Sequence, residues 1–133
     1  MFEYHTTIKL HDTDAAGLLF FSNQFKFMHD AYEEMIAGWG FGFRTLLLER
    51  DYFLPIVHAE ADYKASLFVG DQITVQVFVD HIGTTSFSFR YVILKADRTQ
   101  VGGGKTVHVT MNKESKTKIP LPDEVRSVLK QYA

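Results

Sequence analysis

Two aspartates, Asp12 and Asp14, stand two positions apart in residues 11–17, where the sequence HDTDAAG is rich in turn-forming and small residues. The apolar stretch LLFF follows at residues 18–21 and leads to Ser22, a residue type that caps helices. A helix start presents backbone N–H groups without intrahelical acceptors and the positive end of the helix dipole. The segment could therefore combine a carboxylate with donors that polarise a carbonyl, the two parts that acyl transfer needs.

These residue types also have ordinary structural explanations. Aspartates in loops usually cap turns or face solvent, and spacing alone leaves that interpretation open for both carboxylates. Asn23 and Gln24 come next in the chain. Either could hold a water or orient Asp14, although capping is favoured for Asn23.

Other kinds of chemistry find no support in the sequence. Cysteine is absent, which excludes disulfides and thiolate metal sites. The HExxH, GxSxG, P-loop and GxGxxG patterns are all missing, and the six histidines are scattered. We therefore expect no metal and no cofactor.

The composition indicates one globular domain spanning residues 1–133. Of these residues, 46% are hydrophobic and 23% are charged, as in proteins with a packed core. The net charge is -2 without a basic run, so we expect no nucleic-acid partner. No apolar run approaches the ~18 residues that span a bilayer, and no N-terminal signal pattern is visible. We expect a cytoplasmic protein without membrane contact.

Apolar periodicity predicts an α+β fold. Residues 2–10 alternate like a half-buried strand, and apolar residues between 25 and 39 recur at helical spacing. Further elements are a short helix at residues 45–50, strands at residues 53–63, 73–79, 86–94 and 101–111, and a helix from Pro122 to about residue 131. Three consecutive glycines, residues 102–104, indicate a bulge, the close approach of another backbone or a ligand, or a plain hairpin turn. This order predicts an antiparallel sheet packed on one principal helix.

Residues 12–21, DTDAAGLLFF, resemble the signature of hotdog thioesterases of the 4-hydroxybenzoyl-CoA thioesterase type. The resemblance implies a five-stranded antiparallel sheet wrapped around one long central helix, here about residues 23–39. It further implies that Asp14, rather than Asp12, is the catalytic carboxylate. Backbone N–H groups near Phe21 and Ser22 would polarise the thioester carbonyl. In another branch of these enzymes the carboxylate lies on the helix, which makes Glu33 the main competitor.

The same resemblance suggests residues around the substrate. Gly17, Phe20, Gln24 and Phe25 would border the acyl group. His58 could contact an aromatic hydroxyl or hold a water, but it could equally be an ordinary strand histidine. Candidates for the CoA phosphates are Lys64, Arg90 and Lys105. Many family members carry an aromatic residue and a histidine after the glycine; Phe20 and Phe21 replace them and put a histidine-assisted mechanism in doubt.

A narrower resemblance concerns the acyl group. Residues 23–25, 29–33 and 54–59 look like those of 1,4-dihydroxy-2-naphthoyl-CoA thioesterases of phylloquinone and menaquinone synthesis. An aromatic acyl-CoA is therefore the expected substrate, and a homodimer or homotetramer with sites at subunit interfaces is the expected assembly. The alternatives are an aliphatic acyl-CoA thioesterase, an acyl-thioester hydratase, and a non-catalytic acyl-CoA binder.

Overall fold

The strands of the protein form one large antiparallel sheet and one small one. A computed structural model describes residues 1–133. The strands are β1 (Phe2–Thr7), β2 (Tyr52–Phe53), β3 (Ile56–Tyr63), β4 (Gln72–Ile82), β5 (Ser86–Lys95), β6 (Gln100–Val109) and β7 (Met111–Asn112). Five of them pair in the order β1-β4-β5-β6-β3, and β2 pairs with β7. The predicted five-stranded antiparallel sheet is confirmed.

The predicted long central helix, about residues 23–39, is not confirmed. The structure has three shorter helices: α1 (Asn23–Ala37), α2 (Phe43–Glu49) and α3 (Asp123–Gln131). The last two lie close to the short helices predicted at residues 45–50 and from Pro122 to about residue 131. The longest, α1, begins at the predicted residue but has only 15 residues. It ends at a segment containing Gly38 and Gly40, and the second of these adopts a φ of 88° that few other residues tolerate.

The bounds of three predicted strands were wrong, and the strand predicted at residues 101–111 is divided between β6 and β7, which join different sheets. The other two errors have local reasons. Residues 53–63 do not form one strand, because Pro55 lacks the N–H that a continuous ladder requires, and β2 and β3 consequently join different sheets. The first strand ends at Thr7, and the chain then forms a 3-10 turn at Leu10–Asp12. Leu10 is 75% exposed, although alternation placed it on the buried face.

The core lies between α1 and the sheet. Phe27, Ala31 and Met35, which recur at helical spacing on α1, are almost fully buried. They pack with alternate residues of the central strands, such as Val75 on β4 and Phe89 on β5. Each fully buried side chain of this size contributes roughly 1.5–3 kcal/mol, so the core fixes how α1 lies across the sheet.

The glycine triplet belongs to strand β6 and permits close approach. A Cβ on Gly102 would lie 2.7 Å from the carbonyl oxygen of Asp62 and 2.9 Å from Nε2 of Gln24. A Cβ on Gly104 would lie 2.7 Å from Sδ of Met28. A Cβ on Gly103 would likewise lie 2.6 Å from the carbonyl oxygen of Tyr91, so the close approach of another backbone is confirmed. A register shift in the pairing with β5 beside Gly102 shows that a bulge is present as well.

One edge of the large sheet is exposed. Strand β3 pairs with β6 on one side only, and its apolar residues Ile56 and Val57 are 41% and 56% exposed. Separately, none of the three helices has the length and apolar character required to cross a membrane.

Candidate active site

The loop before α1 folds around the side chain of Asp14. Its Oδ1 accepts hydrogen bonds from the backbone N–H groups of Ala16 (2.8 Å) and Leu18 (3.3 Å). Its Oδ2 accepts no hydrogen bond from the protein. The carboxylate is thus held through one oxygen while the other remains available to a ligand or a water.

Gly17 fixes the shape of this loop. Its φ of 78° lies in the left-handed region, and a Cβ there would stand 2.7 Å from the ring of Phe68. Its carbonyl accepts from the N–H of Val69, and Leu19 donates to the carbonyl of Leu67. The loop that carries Asp14 is therefore attached to the segment that follows β3.

Asp12 has a different environment. It is 2% exposed, and its oxygens accept from the backbone N–H of Lys9 (2.8 Å) and from Nζ of Lys26 (3.0 Å). Burial alone would raise the pKa of the Asp12 carboxyl, but those two donors outweigh burial, so the pKa lies below its ordinary value. The Asp12 carbonyl also accepts from the side chain of Asn23. Asp12 therefore joins the loop to the first turn of α1.

The two residues immediately before α1 leave their backbone donors unused. The N–H groups of Asn23 and Gln24 bond to the carbonyls of Phe20 (2.9 Å) and Phe21 (3.3 Å). No hydrogen bond of the protein uses the N–H groups of Phe21 and Ser22, and Ser22 caps nothing with its side chain. Such free donors at a helix start favour a negatively charged or polarised oxygen.

One cavity borders both Asp14 and the start of α1. Its volume is about 360 Å³, and its wall combines apolar side chains with the polar groups of Asp14 and Gln24. The lining residues are Asp14, Leu18, Leu19, Phe21, Gln24 and the run 63–67. A carbonyl compound in this cavity would meet the Asp14 carboxylate together with groups of Phe21 and Gln24, whereas Ser22 is not among the lining residues.

Gln24 forms the inner wall of this cavity. It is 2% exposed, and its Nε2 donates to the carbonyls of Asp62 (2.8 Å) and Gly103 (3.0 Å). Both N–H groups are therefore used, whereas Oε1 accepts no bond from the protein. The absence of a side chain at Gly102 gives this amide its room.

A family comparison matches most of the chain. A family model described as the thioesterase-like superfamily matches residues 8–129, which is nearly the whole chain. The chain belongs to the thioesterase-like superfamily. The resemblance drawn from residues 12–21 is thereby confirmed.

Curated relatives and solved structures are similar to this chain over most of its length. A 1,4-dihydroxy-2-naphthoyl-CoA hydrolase of Nostoc punctiforme is 33% identical over 93% of this chain and 83% of its own. One of Acaryochloris marina is 30% identical over 98% and 96%. The crystal structure of a 1,4-dihydroxy-2-naphthoyl-CoA thioesterase from Synechocystis has a TM-score of 0.91 at 27% identity, covering 96% of this chain and 94% of that one. A gentisyl-coenzyme A thioesterase has a TM-score of 0.83 at 28% identity, covering 93% and 98%.

Three further residues singled out in the sequence lie away from the Asp14 cavity of this superfamily member. Phe20 is 46% exposed and meets the ring of Phe21 edge-on at 5.0 Å. His58 is exposed on β3, where Nε2 lies 3.1 Å from Oε1 of Glu60. Glu33 is exposed on α1. It lines neither the Asp14 cavity nor the two cavities that contain Phe25 and Arg90.

Phe25 lines a second cavity, of about 380 Å³, between α1 and β3. The wall is largely apolar, and Tyr91 and Thr106 belong to it. Their hydroxyls share a 3.0 Å hydrogen bond, and Thr106 lies 2.8 Å from Nε2 of His108. Burial lowers the pKa of His108 to about 4, so this histidine is neutral at ordinary pH.

The three predicted phosphate-binding residues share one groove. Lys64, Arg90 and Lys105 all line a cavity of about 280 Å³ along β5 and β6, and Lys64 also borders the Asp14 cavity. Lys105 is already paired with Asp80 at 3.2 Å, and Arg90 lies 4.2 Å from the ring of Phe78. Lys64 forms no salt bridge and is the cation nearest to the candidate site.

Sequence reasoning missed a role for Tyr63. This residue ends β3 and lines the Asp14 cavity, where its hydroxyl donates to the carbonyl of Phe21 at 2.6 Å. Burial raises the pKa of Tyr63, which keeps the donor protonated. The partners stand 42 positions apart, so only the position of Tyr63 before the turn at residues 64–66 could have drawn attention to it.

Proposed function

We propose that this chain hydrolyses the thioester of an aromatic acyl-CoA, with Asp14 supplying the attacking or activating carboxylate. The observation that carries this proposal is the cavity that Asp14 shares with the start of α1. Superfamily membership and the names of the relatives support thioester hydrolysis as the reaction.

Asp14 can act in two ways. As a nucleophile, Oδ2 attacks the thioester carbon, the C–S bond breaks, and CoA leaves as the thiolate. Water then hydrolyses the acyl-aspartyl anhydride. As a general base, Asp14 takes a proton from a water that attacks the same carbon. In both routes the N–H groups near Phe21 and Ser22 stabilise the oxyanion, while Oε1 of Gln24 is available to position the water.

The leading substrate is 1,4-dihydroxy-2-naphthoyl-CoA. The relatives that carry that name and the gentisyl-coenzyme A thioesterase are all named for substrates with a hydroxylated aromatic acyl group. Phe21 in the Asp14 cavity and Phe25 in the adjacent apolar cavity offer aromatic surface for such a ring. Phe20 and His58 are more distant. They would contact the substrate only if the substrate or a second subunit extends to them.

The phosphates of CoA would lie along the groove of Lys64, Arg90 and Lys105. Because Lys64 borders both cavities, it joins the proposed phosphate groove to the proposed reaction site. Arg90 and Lys105 would have to exchange some of their present contacts for phosphate.

The proposed assembly is a homodimer or homotetramer of single hotdog domains in the cytoplasm, with α1 as the central helix. The free edge of β3, with Ile56 and Val57 exposed, supports pairing of two sheets through this strand. The active sites would then lie at subunit interfaces, and an isolated monomer would be inactive.

A thiol-release assay over matched aromatic and aliphatic acyl-CoAs tests the function. We expect the highest kcat/KM for 1,4-dihydroxy-2-naphthoyl-CoA and unchanged turnover in Glu33→Gln. Tight binding without thiol release would indicate an acyl-CoA binder, and addition of water to an enoyl thioester would indicate a hydratase. Either result would overturn the proposed reaction. A preference for aliphatic acyl chains would overturn the proposed substrate.

A further inference from the structure

We infer that Tyr63 is a positioning residue for the helix-start amides, an inference that rests on the proposed thioesterase function. Its hydroxyl donates to the carbonyl oxygen of Phe21 at 2.6 Å. That carbonyl belongs to the peptide unit whose other end is the N–H of Ser22, one of the two unused donors.

A trans peptide is planar, and its C=O and N–H point in opposite directions. The chain contains no cis peptide bond, so holding the oxygen of Phe21 also fixes the direction of the Ser22 N–H. The only other donor to this oxygen is the N–H of Gln24, at the longer distance of 3.3 Å. Tyr63 therefore provides the shorter of the two hydrogen bonds that orient this peptide.

The hydrogen bond from Tyr63 also affects the strength of the donor. A peptide whose carbonyl accepts a hydrogen bond is polarised, which makes its N–H a better donor. The phenol is rigid and is anchored at the last residue of β3, where Tyr63 pairs with Gly102. The sheet thus holds the first turn of α1 in the geometry needed at the transition state, when charge develops on the thioester oxygen.

The two preceding peptides are oriented separately. The carbonyl of Phe20, in the peptide that includes the N–H of Phe21, accepts from Asn23 at 2.9 Å. The N–H of Phe20, in the peptide before it, donates to the carbonyl of Asp12 at 3.0 Å. Loss of the Tyr63 hydroxyl should therefore loosen the peptide between Phe21 and Ser22 without unfolding the loop.

Steady-state kinetics on 1,4-dihydroxy-2-naphthoyl-CoA test this inference with Tyr63→Phe, which removes only the hydroxyl. We expect kcat to fall about tenfold with little change in KM, because the lost orientation matters only in the transition state. Tyr132→Phe, which removes a hydroxyl on the distant C-terminal side, is the matched control and should match wild type. An unchanged kcat in Tyr63→Phe, or a rise in KM alone, would overturn the positioning role.

A spectroscopic measurement separates positioning from a general loss of structure. In the Asp14→Asn background, benzoyl-CoA labelled with ¹³C at the thioester carbonyl should bind without turnover. Its carbonyl stretch should shift to lower frequency on binding and return towards the free value when Tyr63→Phe is added. An identical stretch with and without the hydroxyl would contradict the inference.

Hydrolysis by wild type with no effect of Tyr63→Phe refutes only this inference, whereas no hydrolysis of any acyl-CoA by wild type refutes the proposed function and the inference with it.

Discussion

Asp12 and Asp14 are two positions apart in one loop, yet their surroundings are opposite. Asp12 is buried, and donors occupy both of its oxygens. Asp14 is exposed to a cavity and keeps one oxygen free. The difference shows that residue type and spacing do not assign a role to a carboxylate. The role depends instead on burial and on the number of hydrogen-bond donors around the carboxylate. These two properties suit Asp12 for holding the loop and Asp14 for chemistry.

The strongest test of this comparison is a pair of isosteric variants. Asp14→Asn should lower kcat by about 10³-fold, since the proposed mechanism assigns the nucleophile or base to this carboxylate, while the unfolding free energy stays close to that of wild type. Asp12→Asn should keep kcat within about threefold and lose stability instead. Thiol release and urea unfolding on both proteins measure the two effects. A reversed pattern would exchange the roles of the two aspartates.

The structural half of the comparison can be tested by removing the buried carboxylate. Asp12→Ala should destabilise the protein by about 2–3 kcal/mol, because the N–H of Lys9 and the ammonium of Lys26 lose their acceptor. Asp14→Ala, whose carboxylate faces the cavity, should cost less than about 1 kcal/mol in the same urea titration. Equal losses in the two alanine variants would show that burial does not distinguish them.

His108 tests the same principle on a buried group without an ionic partner. Its pKa of about 4 lies below the ordinary 6.5, so the unfolded chain binds the proton more tightly. Above pH 6.5 His108 is neutral in both the folded and the unfolded chain, and its contribution to the free energy of unfolding is fully present. As the pH falls towards 4, the unfolded chain gains the proton and this contribution is lost. Between pH 7 and pH 5 we expect a loss of about 2 kcal/mol. His108→Gln should flatten this part of the pH profile, and an equally steep profile in that variant would assign the loss to other groups.

The smallest expected effect concerns the cation beside Asp12. Lys26 is 48% exposed, so its ion pair is screened by water. Lys26→Met should cost about 0.5–1 kcal/mol. Thermal unfolding in low and high salt measures it, with Lys118→Met as the matched surface control. A cost as large as that of Asp12→Ala would mean that the ion pair, rather than the backbone bond from Lys9, holds Asp12.

Much of the fold could be predicted because its signals are local. The apolar spacing from residue 25 marked α1, the capping residue types at Ser22 and Asn23 marked its start, and alternation marked the strands of an antiparallel sheet. The errors arose where the chain leaves regular structure. Pro55 interrupts a predicted strand, and the turn at Leu10–Asp12 exposes a leucine that alternation had buried.

The candidate site was only partly predictable. Asp14, Phe21 and Gln24 were predicted together, because they lie within a dozen residues of one another and resemble a known signature, and all three line one cavity. Tyr63 was missed, because its partner stands 42 positions earlier and no local pattern records that contact. His58 and Phe20 were suggested by residue type, but neither lines the cavity that Asp14 borders.

The sequence by itself determined which segments become helix and strand and where a carboxylate precedes a helix start. Those properties depend on the periodicity of neighbouring side chains and on local turn chemistry. Only the tertiary structure decided which aspartate is buried, which amides stay unused and which strand residue reaches the first turn of α1. These features depend on packing between distant segments, since burial and hydrogen-bond partners are set when the sheet closes on α1.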